Sequence, residues 1–127
     1  MCYTLTMEKT FKPVLSLRIF TQEGEKSFGP GVAELLRRVR EEKSLRAAAI
    51  SMAMAYSKAW TVIKSSEAAL GFPLLVSTTG GKHGGGATLS PKAEALLSAY
   101  DEYCAEVRAY AAREFSQKLA PMLENDT

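Results

Sequence analysis

Between residues 14 and 20, apolar Leu15, Leu17 and Ile19 alternate with polar Ser16 and Arg18, the period-two pattern of a strand with one buried face. Residues 22–26, centred on Glu23 and Gly24, are expected to turn the chain back toward Phe28, which makes residues 14–28 an N-terminal hairpin. From Pro30 the period changes. Val32, Leu35, Leu36 and Val39 recur at helical spacing and Pro30 suits a first turn, so a helix is expected from Pro30 to about Lys43. Ser44 is placed to cap a second, short helix over residues 45–51, where Ala47, Ala48 and Ala49 permit close approach to a neighbour. After a break at residues 52–55, a third helix is expected from Tyr56 to Leu70, ended by Gly71 in the left-handed conformation. Two short helices with a tight connection are a helix-turn-helix candidate.

Beyond Gly71 the pattern predicts a strand over residues 73–79, carrying Leu74, Leu75 and Val76, and a partner over 87–89. Between them five of the seven residues 80–86 are glycine, with Lys82 and His83 among them. Such a loop loses much conformational entropy on ordering. It is either a surface whose backbone approaches a phosphate closely, with Lys82 adding charge, or a flexible hairpin tip. From Pro91 to about Leu119 a long helix is expected, its apolar seam running through Ala93, Leu97, Tyr100, Cys104, Val107, Ala111 and Phe115. A helix of that length outruns a small domain. Part of its seam is expected to pack on a twin chain, or on the first helix and the hairpin, or on both. The fold class expected is α+β, mainly α: a winged helix-turn-helix over residues 30–91, with the N-terminal β-hairpin before it and the long C-terminal helix after it, in one domain of 127 residues.

Charge changes the picture because of where it sits. The chain carries a net +2, yet residues 43–93 hold six bases and one acid, Glu67, for a local +5. The remainder sums to −3, with most of the acidic excess in the tail beyond Glu94. A basic block beside an acidic one points to one face for a polyanion and another for something else. On the third helix Ala59, Ile63 and Leu70 fall to one side, and Ser57, Lys58, Thr61, Lys64 and Ser65 to the other. Lysines suit phosphates or guanine, and hydroxyls suit base edges, so this outward face fits a major groove. An ordinary solvated face is the competing reading.

Other chemistry finds little support in the residues. No phosphate-loop string of Gly, four residues, Gly-Lys and Ser or Thr occurs. The single histidine, His83, cannot form a multi-histidine metal site or, in a glycine loop, a well-held general base. Cys2 and Cys104 lie too far apart to form a spaced ligand set. No catalytic, cofactor-binding or metal-binding residue is therefore expected, and no enzymatic activity. The apolar runs stay well short of the roughly 18 residues that mark a membrane span, and the N-terminus carries Glu8, Lys9 and Lys12 rather than a signal sequence, so a cytoplasmic protein without membrane contact is expected.

Three stretches taken together, Ser44-Leu45-Arg46-Ala47-Ala48-Ala49, Tyr56-Ser57-Lys58-Ala59-Trp60, and the run from Thr79 through the glycine loop to Ser90, resemble the N-terminal domain of the molybdate-responsive regulator (ModE) family over about residues 30–100. The glycine-rich segment, followed by a short strand and a helix, is the specific part; the helix-turn-helix is shared with a wider LysR-like group. The resemblance implies a dimeric, sequence-specific regulator of transcription that lays residues 56–70 in the major groove of double-stranded DNA and sets the glycine loop, 80–86, against the backbone. The DNA-contacting residues expected on that basis are Tyr56, Ser57, Lys58, Thr61, Lys64 and Ser65 from the third helix, Arg46 from the second, and Lys82 and His83 from the loop. It also implies that Trp60 helps pack the recognition helix and belongs more to the core than to the contact surface.

The chain departs from the family pattern in three ways. Ala53 stands where the family's turn usually has glycine and Ala55 where it has a serine cap, which weakens the start of the third helix by about 1 kcal/mol. Ser57 replaces a lysine that often follows the tyrosine, with Lys58 one place later; one place is about 100° around a helix, so individual base contacts do not transfer. The sequence also stops at Thr127, without the oxyanion-sensing domains of longer members, so it resembles the stand-alone form and implies no molybdate site. Two other classes remain open: a protein-interaction module that has lost DNA affinity, and a small oxyanion-binding protein using the glycine loop.

Overall fold

The structure, a computed structural model, describes residues 9–78 and 85–124. They gather into two compact units, one formed by Ser16–Asp101 and the other by chain segments before Ser16 and after Asp101.

The larger unit is organised around α1 (Pro30–Glu42), which buries Val32, Ala33, Leu35, Leu36 and Val39 along one side. Pro30 opens the helix, and Lys43, at φ 62°, closes it in the left-handed conformation. The outward side of α1 is held by charge. Glu34 accepts from Arg38 Nε at 2.7 Å and from Arg37 at 3.0 Å. The Arg38 hydrogen bond, opposed by partial burial and helped by Arg37, holds the Glu34 carboxyl below its ordinary value.

Preceding α1 is a pair of short antiparallel strands, β1 (Ile19–Phe20) and β2 (Lys26–Phe28). The alternation at residues 14–20 predicts a longer strand than forms. Its partner offers only three residues and the register shifts between Ile19 and Phe20, so residues 14–18 find no ladder to join and β1 is confined to the last two positions. The turn lies where Gly24 predicts it: Gly24 has φ +102°, its N–H donates to the Thr21 carbonyl, and Thr21 Oγ1 accepts from Glu25 N–H at 2.9 Å. Phe28 is fully buried, with its ring edge-on to Tyr100 at 5.0 Å between centroids, and the Tyr100 hydroxyl donates to the Leu17 carbonyl at 2.7 Å.

Next come α2 (Leu45–Ser51) and α3 (Tyr56–Leu70). Ser44 Oγ accepts from Ala47 N–H at 3.0 Å, which caps α2. Ala48 and Ala49 are fully buried, and their small side chains let α2 settle between α1 and α3. Gly71, at φ 89°, ends α3. The strands β3 (Leu75–Thr78) and β4 (Gly86–Leu89) pair antiparallel from Leu75↔Leu89 to Thr78↔Gly86. From Pro91 the long helix α4 (Pro91–Lys118) begins, capped by Ser90, whose Oγ accepts from Ala93 N–H at 3.1 Å. Ala93, Leu97 and Tyr100 are buried, and Arg40 and Arg37 of α1 pair with Glu94 and Asp101. The fold is α+β, mainly α, of the winged helix-turn-helix type.

In the second unit α4 continues to Lys118 and is followed by α5 (Ala120–Glu124), which the apolar pattern does not anticipate. Cys104 is a buried free thiol. Glu124 accepts from Phe11 N–H at 2.9 Å, and Val14, Phe115 and Leu119 border an apolar cleft.

The turn between α2 and α3 carries a strained residue. Ala53 has φ 54°, a left-handed conformation that a Cβ disfavours by about 1–2 kcal/mol. Replacing Ala53→Gly is expected to raise stability by about 1 kcal/mol, seen as a higher denaturant midpoint at unchanged slope. An unchanged or lower midpoint would show the turn to be unstrained.

Candidate nucleic-acid interface

The rotation of α3 is set by what it buries. Ala59, Ile63 and Ser66 point inward, spaced by four and three residues, and Ser66 Oγ donates to the Ser27 carbonyl beneath. This anchors the helix to the strand β2. The opposite side is then fixed: Ser57, Lys58, Thr61, Lys64 and Ser65 are all exposed. The helix starts without a side-chain cap, because Ala55 has no oxygen to offer the first-turn N–H groups.

A third stripe runs between these two, through Tyr56, Trp60 and Glu67. Arg46 of α2 stacks on Tyr56, its guanidinium carbon 4.2 Å from the ring centre, so the two helices of the motif are joined by a cation–π contact. Trp60 lies with Lys64 Nζ 5.5 Å from its ring. The expectation that Trp60 belongs to the core is not met: the side chain is 48% exposed, against 2% for Ile63. Helix geometry gives the reason. At about 100° per residue, Trp60 sits roughly 40° from Lys64 and 60° from Ile63, and Ala59 occupies the inward position beside it.

Glu67, the single acid of the basic window, is a brace. Its Oε2 accepts from Leu74 N–H at 2.7 Å and more distantly from Leu75 N–H at 3.4 Å, while Oε1 lies 3.4 Å from Lys64 Nζ. One carboxylate thus joins the end of α3 to the start of β3 and reaches a cation of the outward face. In the sequence Glu67 counts only as the one acid of a basic window, and no periodicity marks it as a brace.

The β3–β4 pair is fastened at its root. Ser90 N–H donates to the Leu74 carbonyl at 2.9 Å, Ser90 Oγ donates to the Pro73 carbonyl at 2.8 Å, and Ala87 N–H donates to the Lys43 carbonyl at 3.1 Å. A Cβ at Gly86 would fall 2.0 Å from Thr78 Oγ1 across the ladder, so any other residue there would force the Thr78 hydroxyl to turn away. Arg46, Tyr56, Trp60, Lys64, Ser77 and Gly86 line one open cleft between the helices and this root. Lys82 and His83 lie outside the described residues. Among the described residues no group of three or more His, Cys, Asp or Glu is arranged to hold a metal ion, and no helix is long and apolar enough to cross a membrane.

Residues 32–94 match the bacterial regulatory helix-turn-helix protein family of LysR type. This segment is a LysR-type helix-turn-helix domain. It covers α1 through the first turn of α4 and so includes every element that builds the cleft. The chain is also 36% identical over 66 residues, 52% of its length and 24% of the relative's, to the molybdenum-pterin-binding protein MopB of Rhodobacter capsulatus. Over 72 residues, 57% of the chain and 28% of the relative, it is 36% identical to the transcriptional regulator ModE of Haemophilus influenzae. The chain spans about a quarter of the length of these relatives.

Removing the brace tests its weight. Glu67→Ala leaves the Leu74 N–H without its acceptor in a partly buried site and is expected to destabilise the fold by about 2 kcal/mol. Glu67→Gln keeps a carbonyl acceptor and should cost about half as much in chemical denaturation. Equal stability of all three proteins would show that Glu67 holds nothing.

Proposed function

We propose that this LysR-type domain is the DNA-binding part of a transcriptional regulator, which acts as a homodimer and recognises double-stranded DNA by sequence. The observation that carries this reading is the outward face of α3: Ser57, Lys58, Thr61, Lys64 and Ser65 stand exposed together on a helix whose other side is locked into the core. The surrounding charge supports it. The acids Glu94 and Asp101 are engaged by α1 arginines, and among the described residues no ion pair engages Arg46 or Lys58. In this reading α3 lies in the major groove and the glycine-rich loop 80–86 rests as a wing on the sugar-phosphate backbone, with Lys82 at a phosphate. Operator occupancy accounts for regulation with no reaction catalysed.

Binding to a duplex should weaken linearly with log salt, since each neutralised phosphate releases counterions. Lys82→Ala is expected to weaken binding to all duplexes, and Lys58→Ala to lower the salt slope by about 1, whereas Ser57→Ala or Lys64→Ala changes the preference among duplexes. Affinity that ignores salt, or a Lys82→Ala protein indistinguishable from wild type on every sequence, would refute the groove-and-wing arrangement.

The dimer is supported by apolar surface on the second unit, where Tyr103 and Tyr110 of α4 and Met122 and Leu123 of α5 are about half or more exposed. Light scattering on the eluting protein at micromolar concentration is expected to give twice the 13.8 kDa chain mass. A species of single-chain mass would contradict the dimer and leave one-half-site binding.

A further inference from the structure

Trp60 stands out as a large apolar ring that the fold buries only in part. The inward side of α3 is completed by Ala59, Ile63 and Ser66, each nearly or fully buried, and the indole keeps 48% of its surface in water. Exposed apolar surface is unfavourable by about 25 cal/mol per Å² and gains nothing in the free protein. The ring's neighbours are chosen for a polyanion. Lys64 sits over it at 5.5 Å, and one turn earlier on the same stripe Arg46 covers Tyr56 at 4.2 Å. Ser57 and Thr61, the hydroxyl-bearing positions of the outward face, are exposed beside it on the same two turns.

We propose that Trp60 is a specificity-determining residue whose exposed ring packs on the C5-methyl group of a thymine in the major groove. The inference rests on the DNA-binding reading above and extends it. Serine and lysine read donors and acceptors, but the thymine methyl is the one apolar feature that the major groove presents, and the Trp60 ring offers far more apolar surface to bury it than the γ-methyl of Thr61. Trp60 supplies that apolar surface among polar and basic side chains. Arg46, over the neighbouring Tyr56 ring, draws the phosphates alongside, and leaves Lys64 and the indole to meet the base edges.

The experiment uses the whole chain and a duplex selected by it from a random library, resynthesised with deoxyuridine replacing thymidine at one position at a time. Wild type is expected to lose about fourfold in affinity at one or two positions, the value of one methyl-sized group. Trp60→Ala should bind thymidine and deoxyuridine duplexes equally at those positions, with Trp60→Phe intermediate and helicity unchanged in both. Because the chain has a single tryptophan, wild-type emission should also shift to the blue on binding, and less so with the deoxyuridine duplex. Salt-dependent binding in which no thymine position is sensitive, or in which Trp60→Ala keeps the wild-type discrimination, would overturn the proposal while leaving the DNA-binding reading intact. Absence of any salt-dependent binding would remove both.

Discussion

The rotation of α3 about its own axis is the constraint on which the functional account depends. Ala59, Ile63 and Ser66 fix it, two by burial and the third by burial together with a hydrogen bond to the Ser27 carbonyl. A helix turned by one position would move its surface by about 100° and exchange the hydroxyl and lysine face for a mixed one. The buried alanines of α2 serve the same end. Ala48 and Ala49 bring α2 close enough for Arg46 to reach the ring of Tyr56, so the two helices of the motif are held by packing on one side and by a cation–π contact on the other. Glu67 then ties the far end of α3 to β3, and Ser90 ties β3 to the start of α4. The helix α3, the strand pair and the long helix are thereby linked through a few hydrogen bonds to backbone groups.

Electrostatics follows from this arrangement more than from the net charge. The chain as a whole is only +2, but three of its acids are paired around α1: Glu34 between Arg37 and Arg38, Glu94 on Arg40, Asp101 on Arg37. These exposed pairs add little stability individually. Their larger effect is spatial, since they set acids against the arginines of α1 and leave Arg46 and Lys64 lining the cleft.

Much of this was legible in the sequence. Helical spacing, Pro30, the Ser44 cap and the Gly71 stop placed α1, α2 and α3 because each boundary rests on local chemistry. The glycine-rich run and its flanking apolar residues located β3 and β4, though β3 begins at Leu75 and not at Pro73. The alternation at residues 14–20 predicts more strand than forms, because it reports which face is apolar and not whether a partner strand exists. The family resemblance points Trp60 inward for a related reason: it does not contain the competition with Ala59 for the inward position, which leaves the indole 48% exposed. Glu67 looked like one stray acid in a basic window. Its role depends on where the chain returns after Gly71, a three-dimensional fact that charge counting does not contain. α5 is a single short segment after Leu119, too brief to leave a periodic signal.

The central claim is that the outward face of α3 reads a DNA sequence. It is tested most directly by selecting fragments of the organism's sheared genome with the purified chain at near-physiological salt and sequencing what is retained. The account predicts enrichment of a roughly palindromic motif whose half-sites lie about 10 base pairs apart, or a multiple of that, as a two-fold protein requires. Weak and uniform recovery with no shared motif would contradict it.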